Sequence, residues 1–224
     1  MRLRIALVSV AFFALLASGV DKASAASVGI LNAGFDDPSL ALPNGTTGAK
    51  GAWAPSIIDW VTSGSSGTFA PFTDGEAYSG LGDLGRVAFM NSGGVIQQAL
   101  GGVFQAGTDY LLSFDVGDRL DIGFGGKVEL FDSSFSTLVA TLILNDPGNG
   151  QFGTQVSTIS ASAVSAAGVV GQGIGIRFTA TAGQVNVDNV SLSALPVPSA
   201  FVLFVSGFGI LGWAARRHKH HADA

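Results

Sequence analysis

Carboxylates are the side chains of this 224-residue chain best placed by type and spacing to do chemistry. Asp115, Asp118 and Asp121 recur every third residue in Asp-Val-Gly-Asp-Arg-Leu-Asp, while Glu76 and Glu129 stand apart. Two such groups flanking a glycosidic bond can hydrolyse it, one as acid and the other as base or nucleophile. Arg119 lies inside the aspartate run and neutralises it, so the run reads as the solvated end of a strand. All three histidines, His218, His220 and His221, fall in the last seven residues, and there is no cysteine. The rest of the chain therefore has no Ser-His-Asp triad, cysteine nucleophile or histidine-ligated zinc. Gly123 to Gly126 lacks the lysine and helix of a phosphate loop. No catalytic residue is assigned, and the chain is expected not to be an enzyme.

Aromatic rings offer a different chemistry. Sugars stack on exposed rings and exchange hydrogen bonds with planar polar side chains. Trp53, Trp60, Phe69, Phe72 and Tyr78 lie in one stretch, with Asn91, Gln97 and Gln98 following. The expected ligand-binding set is Trp53, Trp60, Tyr78 and Gln97. Trp53 is the first choice for stacking, because Trp60 adjoins the apolar pair Ile57-Ile58 and has core packing as its alternative.

These residues need a scaffold, and the alternation of the middle region supplies one. Tyr110, Leu112, Phe114 and Val116 share one face; so do Val128 and Leu130, and so do Ile174, Ile176 and Phe178. A period of two with one apolar face predicts half-buried strands. Val28 to Leu31, Val87 to Met90, Val95 to Ala99, Leu138 to Leu144 and Thr154 to Ile159 are further candidates. Glycine- and Asn/Asp-rich turns separate them. Leu40 to Gly51 and the residues around Trp53 to Thr68 read as long loops. Ala161 to Ala167 is a weak candidate for a short helix. The chain is 47% hydrophobic and 12% charged with 32 glycines, as suits an exported β-protein with tight turns. Without cysteine it relies on its core rather than on disulfides. The expected fold is all-β, a single jelly-roll-type β-sandwich. Between the termini only Lys50, Arg86, Arg119, Lys127 and Arg177 face fourteen carboxylates, which argues against a nucleic-acid partner.

The closing strand carries an irregularity. Val185 and Val187 share one face, whereas Val190 and Leu192 would share the other under strict alternation. A phase change at Asp188-Asn189 predicts a β-bulge, which frees carbonyls and turns a carboxylate aside. At the opposite end of the domain, Asn32-Ala33-Gly34-Phe35-Asp36-Asp37-Pro38 offers carboxylates in a turn. Asp36 as an Asx-turn and Asp188 bonded to a neighbouring N–H are the local readings.

The termini read as address labels. Arg2 and Arg4 precede the apolar run Ile5 to Leu16, and Ala23-Ser24-Ala25 supplies a small-residue cleavage site. Residues 1–25 are thus expected to be a secretory signal peptide or, uncleaved, a signal anchor. The domain follows at 26–194. Residues 195–224 begin with Pro196-Val197-Pro198, continue as the apolar run Phe201 to Ala215, and end in Arg216, Arg217, His218 and Lys219. Basic residues after an apolar helix favour the cytoplasmic side, so the domain is expected outside, exported through the Sec pathway. The run is about 15 residues against the roughly 20 of a comfortable span. It reads either as a single-pass anchor or as a sorting tail held briefly and then cut.

The tail resembles the PEP-CTERM sorting signal recognised by exosortases, through Pro196, Val197, Pro198, the glycines of Gly207 to Gly212, and Arg216 with Arg217. Val197 stands where the commonest form has glutamate. That resemblance implies an exosortase-type processing enzyme, a transmembrane helix and delivery to the cell envelope or extracellular matrix, in association with exopolysaccharide or surface adhesion. The domain resembles galactose-binding-like jelly-roll modules through Asn32, Gly34, Phe35 and Asp36 at its opening and Gln184, Val187, Asp188, Asn189 and Val190 at its close. Trp60, Gly93 to Gln98, and Gly107 to Gly117 extend the likeness. It implies one structural Ca²⁺ held by Asp36 and Asp188, with backbone oxygens around Asn32 and Gly34 completing the shell, and polysaccharide as a ligand.

Overall fold

The computed structural model describes residues 25–36, 53–70 and 85–196. The signal segment, the Arg216-Arg217 tail, Val197, Pro198, Phe72, Glu76 and Tyr78 lie outside them. Among the described residues no helix is long and apolar enough to cross a membrane.

Among the described residues twelve strands form two antiparallel sheets: β1 (Ala26–Val28), β2 (Trp53–Ala54), β3 (Val61–Ser63), β4 (Ser66–Phe69), β5 (Val87–Asn91), β6 (Val95–Val103), β7 (Thr108–Asp118), β8 (Gly126–Asp132), β9 (Leu138–Ile143), β10 (Gln151–Ile159), β11 (Gly173–Ala180) and β12 (Gln184–Pro196). One sheet runs β10-β7-β12-β5-β4-β2, with β1 also on β12; the other runs β3-β6-β11-β8-β9. From β5 onward successive strands cross between the sheets, except β8 to β9. The first and last of these eight strands, β5 and β12, are neighbours. That is the winding of a jelly roll. Ala26–Leu195 forms one compact unit.

The inward-facing residues of both sheets make the core. Tyr110, Leu112, Phe114 and Val116 of β7 are buried against Ile174, Ile176 and Phe178 of β11 and Val128 and Leu130 of β8. Phe114 meets Phe178 edge to face with centroids 5.2 Å apart, the favoured geometry for paired rings.

The expected phase change in β12 is present. Val185 and Val187 are buried, as are Val190, Leu192 and Ala194, and Asn189 between them has φ +51°. Residues 184–187 pair with β5, and residues 192–194 pair with β1.

One expectation is corrected. The stretch around Trp53 to Thr68 is not a set of long loops, for it holds β2, β3 and β4. β4 is polar in sequence yet wholly buried. Ser66 donates to the Ser63 and Val95 carbonyls, both at 3.0 Å, and Thr68 donates to the Val87 carbonyl at 3.1 Å. A Cβ on Gly67 would overlap the Ala54 carbonyl. The short helix is real: α1 (Ala161–Ala166) buries Val164, and the Ser160 side chain accepts from the Ala163 N–H as its N-cap.

The β8–β9 turn is held by one carboxylate. Asp132 accepts from the N–H groups of Ser134 (3.1 Å), Ser136 (3.0 Å) and Thr137 and from the hydroxyls of Ser134 and Ser136. These donors lower its pKa to about 2, the Ser134 hydroxyl foremost. A carboxylate depressed in the fold stabilises it above its unfolded value of about 4, and that stability is lost as pH falls through about 2. Asp132→Asn is therefore expected to lower the unfolding midpoint in urea at pH 6. The gap from the unmodified protein should close as pH falls from 4 toward 2.

Candidate functional site

The outer face of the first sheet carries a groove of about 270 Å³ lined by Trp53, Ser65, Phe69, Phe89, Asn91, Arg119 and Gln184. Register explains the grouping. Trp53 pairs with Phe69, Phe69 with Val87, and Gln184 with Asn91. Since Ala88 and Met90 of β5 face the core, Val87, Phe89 and Asn91 face out. Phe69, Val87 and Phe89 form a second small apolar cluster there, with Phe152 packed against it.

Trp53 stands on that cluster. It is 48% exposed and meets Phe89 edge to face, centroids 6.2 Å apart at 89°. Phe69 also meets Phe89 edge to face, at 6.0 Å and 84°. The polar wall is equally fixed. Arg119 donates to Gln184 Oε1 at 3.1 Å, and its other nitrogens grip both oxygens of Asp121 at 3.1 Å. Asn91 donates to the Ser65 hydroxyl at 2.8 Å. The groove thus pairs one half-exposed indole with amide and guanidinium edges, which suits a ring with an apolar face and a hydroxylated rim.

Of the expected ligand-binding residues, the groove contains Trp53. Trp60 is corrected to a core residue: it is buried, packs on Phe35 (5.2 Å) and Phe178 (6.4 Å), and donates its indole N–H to the Leu31 and Asn32 carbonyls at 3.1 and 3.3 Å. Gln97 lies apart from the groove, on β6 of the other sheet, where it accepts from Arg177 Nε at 2.8 Å. Gln98 is buried, bonded to Leu31 and Asp59. Sequence reasoning missed Ser65 and Phe89 and did not place Arg119 or Gln184 in a site. Gln184 drew notice only as part of the closing strand.

The carboxylates considered for hydrolysis are dispersed. Glu129 is buried on the second sheet, paired with Lys127 at 2.7 Å. Asp118 is buried inside the end of β7, and burial followed by nearby Asp146 raises its pKa. Asp115 accepts from Thr154 (2.6 Å) and Asn189 (2.9 Å).

A second cluster gathers where the domain opens and closes. An ideal Cβ on Gly34 would lie 3.5 Å from Asp36 Oδ2 and 3.8 Å from both Asp188 Oδ1 and Asn189 Oδ1. Glycine at 34 thus leaves a hollow ringed by side-chain oxygens. Asp188 is 5% exposed and its pKa is pushed up to about 7, first by burial, then by the charges of Asp36 and Asp115. One of the two local readings has a counterpart: Asp188 accepts from the Asn189 N–H at 2.7 Å, whereas Asp36 accepts from the distant Arg86 N–H at 2.6 Å instead of forming an Asx-turn. The Asn32 carbonyl takes the Phe35 N–H at 3.2 Å and the Trp60 indole N–H at 3.3 Å. Asn189 and Asp115 are the members that sequence reasoning missed.

The HpiC1-like family model, described as HpiC1 cyclase, matches residues 26–193. The chain belongs to the HpiC1-like family. No curated protein matches it. Similar solved structures include TmCBM61 in complex with β-1,4-galactotriose, at 13% identity and TM-score 0.41 over 75% of this chain and 98% of that one. Another is CsCBM6-3 from Clostridium stercorarium in complex with cellobiose, at 14% identity and TM-score 0.38 over 61% and 87%. A third is the K1 cleaved adhesin domain of Lys-gingipain from Porphyromonas gingivalis W83, at 8% identity and TM-score 0.39 over 78% and 99%.

The two tryptophans should separate cleanly on truncation. Trp60→Ala empties a buried site and is expected to cost about 3–5 kcal/mol in urea unfolding. Trp53→Ala should cost about 1 kcal/mol or less, as for a half-exposed ring on an outer face.

Proposed function

We propose that this HpiC1-like domain is a carbohydrate-binding module of the cell envelope, taking a sugar ring into the groove beside Trp53. The observation that carries the reading is the half-exposed indole, locked edge-on by Phe89 and facing the amides of Asn91 and Gln184 and the Arg119 guanidinium. We place the domain outside the membrane, exported by residues 1–25 and sorted by the PEP-CTERM-like tail 195–224 through an exosortase-type enzyme. Its work there is attachment to extracellular polysaccharide. Binding is our reading of the side chains that line the groove: an indole, two phenyl rings, two amides, a hydroxyl and a guanidinium.

Calorimetry against a panel of neutral oligosaccharides, β-1,4-galactotriose and cellobiose among them, tests the groove. At least one is expected to bind, and Trp53→Ala should weaken it about tenfold or more, equivalent to about 1.4 kcal/mol. Binding that Trp53→Ala leaves untouched would sink this reading. Family membership favours a second reading, cyclisation of a small molecule in the same groove. Conversion of an acyclic small molecule to a cyclic isomer that Trp53→Ala abolishes would establish it.

One structural Ca²⁺ belongs to the same proposal. Calcium takes six to eight oxygens from carboxylates, amides, carbonyls and water. Among the described residues no three carboxylates, histidines or cysteines close on one point. Asp36 and Asp188 nevertheless supply two carboxylates and Asn189 an amide oxygen around the hollow at Gly34, and Asp188 has acidic neighbours that a cation would neutralise. The donor chemistry fits the ion, whose role there is to tie the opening turn to β12. Millimolar Ca²⁺ is expected to raise the melting temperature of chelator-treated protein at pH 8. Asp188→Asn should remove most of that increment.

A further inference from the structure

The outer face of the second sheet holds an arginine fixed in place by two rings and an amide. Arg177 of β11 is half-buried in the middle of this face, in register with Gln97 on one side and Glu129 on the other. Its guanidinium carbon lies 4.5 Å from the centre of the Phe131 ring and 5.1 Å from that of Phe135. Its Nε donates to Gln97 Oε1 at 2.8 Å. Rings and amide together fix the plane and direction of the group.

Phe135 is brought there by the Asp132 turn, where its own φ is +59°. A Cβ on Gly175 would come within 3.0–3.2 Å of the Phe135 ring, so glycine at 175 is what lets the ring lie against the strand beside Arg177. The register neighbour Glu129 does not neutralise the arginine, because it is committed to Lys127 at 2.7 Å. Among the described residues Arg177 forms no ion pair, and its two terminal nitrogens have no partner. A fixed guanidinium fork with both terminal nitrogens open matches a carboxylate, which it can hold by two parallel hydrogen bonds.

We propose that Arg177 is a carboxylate-binding site for the uronic-acid residues of an acidic polysaccharide. Arg177 stands in a row with Gln97 on one side and, on the other, Glu129 held by Lys127 and then Thr141; one guanidinium with amide and hydroxyl neighbours suits one carboxylate among hydroxyls. An acidic peptide with several charges would call for more cations. The site is on the opposite sheet from Trp53 and does not depend on the groove.

Titration of the protein with trigalacturonate, with galactotriose as neutral control and a tri-aspartate peptide as the other source of carboxylate, tests the assignment. Trigalacturonate is expected to bind and to move the Arg177 Nε–H resonance. Arg177→Lys keeps the charge but loses the fork, so it should weaken binding about tenfold or more, as should Arg177→Gln. Phe135→Ala should weaken binding while the fold persists. Trp53→Ala should leave it intact, which separates this site from the groove whatever becomes of that reading. No binding of trigalacturonate, binding unchanged in Arg177→Gln, an Arg177 Nε–H signal that does not move, or equal binding of tri-aspartate would overturn the proposal. The resonance shift in unmodified protein decides the matter even if the variants fail to fold.

Discussion

The phase change in β12 is the constraint on which the rest of the domain hangs. β12 is an interior strand, paired with β7 on one edge and with β5 and then β1 on the other. To bury Val185 and Val187 beside β5, and Val190, Leu192 and Ala194 beside β1, the strand must change register once. Asn189 absorbs that change in a left-handed conformation, as asparagine does more readily than bulkier residues. The same event turns Asp188 toward Asp36 and lets Val190 N–H reach the Ala33 carbonyl at 3.0 Å. Core packing and the acidic hollow therefore share one backbone irregularity.

The two sheet faces divide the surface chemistry between them. On the first, apolar rings support an exposed indole and leave amide edges around it. On the second, rings support a guanidinium. In both, aromatic side chains on an outer face do not close a core; they fix the angle of a neighbouring group. An antiparallel sheet can spend one face this way because the core needs only the other.

Alternating strands were legible because burial of one face imposes a period of two. The bulge was legible for the same reason, as a break in that period at Asp188-Asn189. β4 was not, since Ser66 and Thr68 are buried by hydroxyl bonds to carbonyls distant in the chain, and no hydrophobic pattern records that. The six residues of α1 are too few to display a helical period. Trp53 could be told from Trp60 by the apolar residues beside the latter. The rest of the groove could not be read, because Phe89, Asn91, Arg119 and Gln184 meet only through strand register. Arg177, Phe135 and Gly175 are likewise joined by a turn and a missing side chain.

The position of β12 has a consequence for how the chain folds. Ala26 at the start of the domain pairs with Ala194 at its end, and the last strand lies between strands made far earlier. The first sheet cannot close until the final residues of the domain are available. Topologies dominated by such distant pairings fold slowly, since loop closure must be met before the contacts reward it. On the export route proposed above, a chain crossing from its N-terminus would thus remain threadable until nearly all of it had crossed. Completion of the fold would then coincide with the arrival of the tail.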